Sequence, residues 1–425
     1  MDVASAINIF DPAFKSNAFP VYARIRVQDP VTRSFAPNGN PFWLVLGYDE
    51  ARTVLKDHRR FANDYRTVLT EEELKAANDA YYGHVPEEDR EEAIATDRLF
   101  SDHLLGVDPP QHSRLRKLVS QSFTPKFIEG LRPRIQQLAD ALLDDLESHV
   151  NATGSRQFDL LEYYAFPLPI TVISEMLGIP LEDRDRFRQW SNAVLELNPQ
   201  VGTNPTAMES LGAFAFYLMR LANEKRQTPG DDLFSGLLQA EEEGDVLSEQ
   251  ELIAMIFLLI VAGHETTVNL IGNGMLAFFE HPDQLALLRA DPQRHIKPAI
   301  EEILRFYGPV EMSLARYARE DLVLGGQQIR RGEPLNVMIA AADRDPELVA
   351  DPERFDITRA PTRHLGFGTG IHACLGAPLA RLEGQIALPS LVARFPDIRL
   401  AAPPEELVWR LTGITRGLTS LPVAV

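Results

Sequence analysis

The sequence has 425 residues, one cysteine, 45% hydrophobic residues and a formal net charge of -19. A single cysteine excludes an intrachain disulfide, and the acidic balance argues against a nucleic-acid or anionic-membrane partner, because binding phosphates needs a basic footprint. Met1–Tyr22 shows no basic segment followed by an apolar stretch, so no signal peptide is expected and the predicted location is cytoplasmic.

In chain order, Phe42–Leu46 predicts a short strand and Asp49–Leu55 a helix start. Residues 71–92 are rich in Glu and Asp and predict a solvated excursion with short helices; a lid over a pocket is the functional alternative. Residues 126–148 carry Ile128, Leu131, Ile135, Leu138, Leu142 and Leu146 at helical spacing, and residues 212–226 and 284–290 follow the same pattern. The most apolar stretch, Leu252–Phe279, holds His264, Glu265 and Asn269, which suit a buried helix and not a ~20-residue membrane span. Ser248 with Glu251 makes a capping box before it, and His281-Pro282 ends it. Leu322–Leu324 and Leu335–Met338, around Gly325-Gly326 and Arg331-Gly332, predict a small hairpin region, and Arg416–Val423 a last strand pair. No linker-like stretch divides the chain, so one mainly α domain with small β-sheets is expected over 1–425.

The segment His364-Leu365-Gly366-Phe367-Gly368-Thr369-Gly370-Ile371-His372-Ala373-Cys374-Leu375-Gly376 is dense in glycine, which lets another group approach the backbone closely. Helical periodicity follows through Leu379, Leu382 and Ile386, with Pro378 in the first turn. Cys374 therefore falls at a helix N-terminus, where N–H groups and the dipole favour thiolate. Local residues leave three readings open: a packed structural thiol, a metal ligand, or a nucleophile with His372 as base. Zinc lacks a second pair of ligands. Upstream, Ala262-Gly263-His264-Glu265-Thr266-Thr267 interrupts the long helix with residues poor in helix propensity, a mark of functional sites.

Phe-Gly-x-Gly-x-His-x-Cys-x-Gly, here Phe367 to Gly376, resembles the haem-binding signature of the cytochromes P450. The resemblance runs from Asp11-Pro12-Ala13-Phe14 to Leu421-Pro422-Val423 and is closest to bacterial members without a fused reductase. It implies the P450 fold, with haem b between the long central helix and the cysteine loop, and Cys374 as the axial thiolate on iron. Phe367, His372 and Gly376 then line the cofactor, as do Ala262 and Gly263, while Glu265 and Thr266 take the acid and alcohol roles of oxygen activation. His112 and Arg116, in Asp108-Pro109-Pro110-Gln111-His112-Ser113-Arg114-Leu115-Arg116, match haem-propionate contacts, as do Arg316 and His364. Glu302 and Arg305 match a structural clamp behind the haem. One departure is Asp343, where the family usually carries asparagine.

The implied activity is a monomeric monooxygenase that inserts one oxygen atom from O2 into a C–H bond of a small, mostly apolar organic molecule. Its alternatives are a peroxide-driven peroxygenase and a non-catalytic haem sensor. Electrons would come from a separate ferredoxin or flavodoxin docking on Arg114, Lys117 and Arg381. By family position the substrate pocket would draw on residues 62–105 and on Val261, Val310, Leu314 and Leu418, with Glu311 expected to face solvent.

Overall fold

The computed structural model describes residues 9, 11–36, 39–83, 85–121, 123–195, 207–242 and 245–425. The chain begins with α1 (Pro12–Ser16), α2 (Ala18–Gln28), β1 (Val31–Phe35), β2 (Pro41–Val45), α3 (Tyr48–Lys56) and β3 (Phe61–Ala62). The acidic excursion forms α4 (Glu71–Tyr81) and α5 (Arg90–Ser101). Next come α6 (Gln111–Ser120), α7 (Pro125–Gly130), α8 (Arg132–Thr153), β4 (Gln157–Asp159), α9 (Pro167–Leu177), α10 (Arg184–Leu195), α11 (Ala207–Gln227), α12 (Leu233–Gln239) and the small pair β5 (Glu241–Glu242) and β6 (Asp245–Val246). The remainder holds α13 (Glu249–Glu280), α14 (Pro282–Ala290), α15 (Pro292–Phe306), β7 (Arg316–Ala318), β8 (Leu322–Leu324), β9 (Gln327–Ile329), β10 (Pro334–Val337), α16 (Ile339–Ala342), α17 (Ala377–Arg394), β11 (Arg399–Leu400) and β12 (Pro422–Ala424).

The sequence dictates α13 most directly. Ser248 Oγ accepts from the Glu251 N–H at 3.2 Å, and Glu251 Oε2 accepts from the Ser248 N–H at 2.9 Å, which satisfies two orphan donors reciprocally. The helix has 32 residues, about 48 Å at ~1.5 Å each, and α5, α9, α15 and α17 pack around it. From Leu252 to Phe278 every residue is buried except 258, 259, 261, 262, 263 and 266. Of these, Ala262 and Thr266 mark the least covered part of the helix, while Gly263 is turned toward α9.

The helix expected over 126–148 is two helices. Pro133 lacks an N–H and sits in the first turn of α8, so a new helix starts at Arg132. Below it, Ile135, Ala139, Leu143 and Leu146 form the buried stripe. The hairpin also differs from expectation. Leu322–Leu324 pairs with Gln327–Ile329 across Gly325-Gly326, both at positive φ, while β10 runs parallel to β2 in the five-stranded sheet β1-β2-β10-β7-β3. The last strand is Pro422–Ala424 alone, between β11 and β4; Thr415 and Leu418 form isolated bridges to Val310 and Trp409.

Buried charges join the two ends of the chain. Glu311, expected in solvent, is 4% exposed. Lys15 Nζ lies 3.0 Å from its Oε2 and Arg416 Nη1 3.2 Å from its Oε1, and Tyr22 donates to Oε1 at 3.2 Å. Arg416 also lies over the Trp409 ring at 3.9 Å.

Candidate active site

The cysteine loop rests on α3. Gly368 and Gly370 have φ of 65° and 75°, and a Cβ at Gly370 would meet Leu55 O and Lys56 Cα at 2.9 Å, so only glycine fits there. The Cys374 N–H donates to Phe367 O at 2.9 Å and closes the loop before Gly376 caps α17. Cys374 has exposed surface, while the groups packed around it desolvate its thiol and push its pKa up. The N–H groups of Gly376 and Ala377 and the charge of Arg116 oppose the shift without outweighing it. A helix N-terminus alone therefore does not make this sulfur a thiolate; a positive centre on Sγ would.

Four cationic or potentially cationic side chains gather beside this loop. The rings of His112, on α6, and His372 lie 4.3 Å apart, edge to face. All four of their nitrogens are buried and lack a hydrogen-bond partner among the described residues. Burial, Arg316 and His112 lower His372 to a pKa of about 3, and burial and Arg116 also lower His112. Arg316 is 6% exposed and reaches only the carbonyls of Leu314 and Ala315, at 3.3 and 3.4 Å. Neither Arg316 nor Arg116 has a carboxylate within ion-pair distance among the described residues. Orphaned donors of this kind are costly unless a ligand meets them. A soft sulfur donor beside two arginines and two neutral imidazoles with N–H groups to donate suits an iron porphyrin with two carboxylates.

His364 departs from this set. Its Nδ1 accepts from the Gly366 N–H at 3.2 Å and its Nε2 lies 3.1 Å from Glu301 Oε2, so both ring nitrogens are engaged. Glu301 also takes a bidentate bond from Arg381, at 2.6 and 2.8 Å, and Arg381 lies over the Phe367 ring at 4.4 Å. Glu301 thereby links α15 to α17, with His364 against it.

On α13 both threonines bond back to carbonyls one turn earlier: Thr266 Oγ1 to Ala262 O at 2.7 Å and Thr267 Oγ1 to Gly263 O at 3.3 Å. Such bonds bend a helix. Ala262 is exposed and Thr266 half-buried, in the least covered part of α13. A Cβ on Gly263 would point at α9, 3.3 Å from Ile173, so its small size serves a close helix crossing. Glu265 is 3% exposed and its Oε1 pairs with Arg410 Nη1 at 2.7 Å. Arg410 did not stand out in the sequence. Its one local signal is a lone charge in the apolar run Val408-Trp409-Arg410-Leu411.

Glu302 and Arg305 form a buried ion pair. Arg305 Nε and Nη2 donate to the two Glu302 oxygens, each at 2.8 Å, and its guanidinium serves the carbonyls of Asp343, Pro352 and Arg354.

Comparison with known proteins agrees with this geometry. The Cytochrome P450 family model matches residues 213–405. Cytochrome P450 107B1 of Saccharopolyspora erythraea is 46% identical over 416 residues, 97% of this chain and 96% of that protein. The chain belongs to the cytochrome P450 family. The solved structure of the Bacillus subtilis polyketide-synthase cytochrome P450 PksS superposes with a TM-score of 0.86 at 41% identity, covering 98% of this chain and 99% of that one. The 6-deoxyerythronolide B hydroxylase of S. erythraea is 39% identical over 420 residues, 97% of this chain and 98% of that protein.

As a P450 monooxygenase, the chain differs from the sequence expectation in its outer parts. Leu314 is 38% exposed and Val261 and Val310 are half-buried, whereas Leu418 is 3% exposed and packs in the main core. Arg114 is ion-paired with Glu251 and Arg381 with Glu301, so the basic patch expected for an electron donor is largely neutralised. Lys117 is exposed. The acidic excursion is latched: Arg331 makes a bidentate bond to Glu73 at 2.6 and 2.8 Å and donates to Val68 O at 2.5 Å. A surface cleft of about 430 Å³, lined by Leu131, Ile135, Val172 and Met176 among others, shares no residue with the site.

Proposed function

We propose that residues 1–425 form one haem domain that inserts an oxygen atom from O2 into a C–H bond of a mostly apolar small molecule of the polyketide or macrolide kind. The observation that carries this is the pairing of Cys374 with four unpartnered buried nitrogens on His112 and His372 and two uncompensated arginines, 116 and 316. Haem b, bound through Cys374 and with its carboxylates against these groups, supplies dioxygen activation. The chain's own residues do the rest. Gly368 and Gly370 keep the loop tight enough to hold the sulfur in place. Thr266 holds a proton at Oγ1, parked on Ala262 O, and Glu265 is the nearest carboxyl on the same helix. Val261, Val310 and Leu314 supply apolar walls that exclude water. The relatives named for polyketide biosynthesis and for 6-deoxyerythronolide B support the substrate class.

Electrons come from a separate ferredoxin or flavodoxin that docks on the cysteine side, and the protein is a cytoplasmic monomer. With Arg114 and Arg381 paired internally, docking relies on apolar contact, so reduction should depend only weakly on salt. The decisive experiment is the absorption spectrum of the reduced, CO-bound protein. A strongly red-shifted Soret band that is lost in Cys374→His supports the reading; a histidine-type spectrum in the wild type overturns it.

A further inference from the structure

Glu265 is held by a residue far away in sequence. Arg410 comes from the segment between β11 and β12, and its guanidinium forks. Nη1 binds Glu265 Oε1 at 2.7 Å, and Nη2 donates to Asn192 Oδ1, on α10, at 2.7 Å. Asn269 Nδ2 donates to the same Glu265 oxygen at 3.3 Å. Both donors land on Oε1, and no donor among the described residues reaches Oε2. The carboxylate is thus fixed in rotation, with one oxygen saturated and the other left to carry a proton. Arg410 is itself oriented, since its neighbour Trp409 lies under Arg416, which is anchored on Glu311.

We propose that Arg410 is a positioning residue: it aims Glu265 Oε2, and its second hand ties that aim to the position of α10. A guanidinium suits this role because its planar fork serves two acceptors in fixed geometry, which an ammonium cannot do. When α10 shifts, Asn192 pulls on one arm of the fork, and the other arm turns the carboxylate of Glu265. The helix α10 is thereby coupled to the acid on α13 through a single side chain. This rests on the monooxygenase reading, in which Glu265 handles protons.

The test uses the haem-loaded protein with a surrogate plant-type ferredoxin and its reductase, and the variants Arg410→Ala, Arg410→Lys and Asn192→Ala. Two signals are read: the solvent isotope effect on reductant oxidation, and hydrogen–deuterium exchange in residues 184–195. Arg410→Ala should slow reductant oxidation roughly tenfold, enlarge its solvent isotope effect and speed exchange in α10, since a misplaced proton donor forfeits part of its catalytic factor. Arg410→Lys should restore most of the rate, because one ammonium can still hold Glu265, while α10 exchange stays fast. Asn192→Ala should speed α10 exchange and enlarge the isotope effect without touching Glu265. A wild-type isotope effect in Arg410→Ala, or in Asn192→Ala alongside faster α10 exchange, would overturn the proposal and leave Arg410 a structural brace. Failure of the haem–thiolate reading shows separately, in the CO spectrum of the wild type, and the exchange measurement stands without it.

Discussion

Replacing Asp343 with asparagine should change how stability depends on pH. Asp343 is fully buried behind the cysteine loop. Its Oδ1 accepts from the Leu365 N–H at 2.6 Å, while its Oδ2 has no hydrogen-bond partner among the described residues. Burial raises its pKa from 3.8 to about 7, against the pull of His364 and the neighbouring N–H groups. The folded chain therefore keeps this proton up to about pH 7, whereas the unfolded chain releases it near pH 4. Stability is highest below the lower value, falls as pH rises through the window, and is flat above the upper one. From 3.8 to about 7, at about 1.4 kcal/mol per pH unit, the loss reaches roughly 4 kcal/mol. Asparagine has no proton to lose, and every other titrating group is common to both proteins and cancels in the difference. Urea unfolding of wild type and Asp343→Asn at about pH 5 and about pH 8 should show the variant's relative stability rising by roughly 3 kcal/mol. An equal difference at both pH values, or a variant that loses ground at the higher pH, would refute the reasoning.

Three further outcomes follow from the packing. Arg305→Ala should cost roughly 3 kcal/mol in urea unfolding, because the buried Glu302 carboxylate loses its bidentate partner and keeps only Arg359 at 3.3 Å and the Asp356 N–H, while the carbonyls of Asp343 and Pro352 lose a donor. Gly263→Val should destabilise by about 1–3 kcal/mol through collision with Ile173, and Ile173→Ala should relieve part of that loss; strict additivity in the double-mutant cycle would show that the contact at 3.3 Å is unimportant. Glu73→Gln, or added salt in the wild type, should release the α4 latch and speed limited proteolysis within residues 71–101; an unchanged cleavage rate would place the restraint elsewhere.

The local features of this P450 could be read from its sequence because local chemistry sets them. The Ser248–Glu251 cap, the apolar run of α13 and the glycine spacing around Cys374 each lie within a few residues, and each was found where expected. The features that sequence reading missed depend on tertiary packing. Glu265 meets Arg410 across 145 positions, and nothing periodic links them. Glu301 on α15 lies against His364 across 63 positions, a contact that no local pattern announces. Arg114 and Arg381 look like free cations in one dimension and prove to be paired in three. Leu418 sits in a segment that forms a single bridge to Trp409, so no strand alternation could tell its inward side from its outward one.

The buried cluster of Lys15, Glu311 and Arg416 also decides which pieces of the molecule can be cut away. Glu311 is held from one side by Lys15 on α1 and from the other by Arg416, which, like Arg410, lies between β11 and β12. The same short segment therefore serves two buried carboxylates, Glu311 through Arg416 and Glu265 through Arg410. A variant without residues 410–421 would keep the whole cysteine loop, yet leave Glu311 with one cation and Glu265 without its guanidinium.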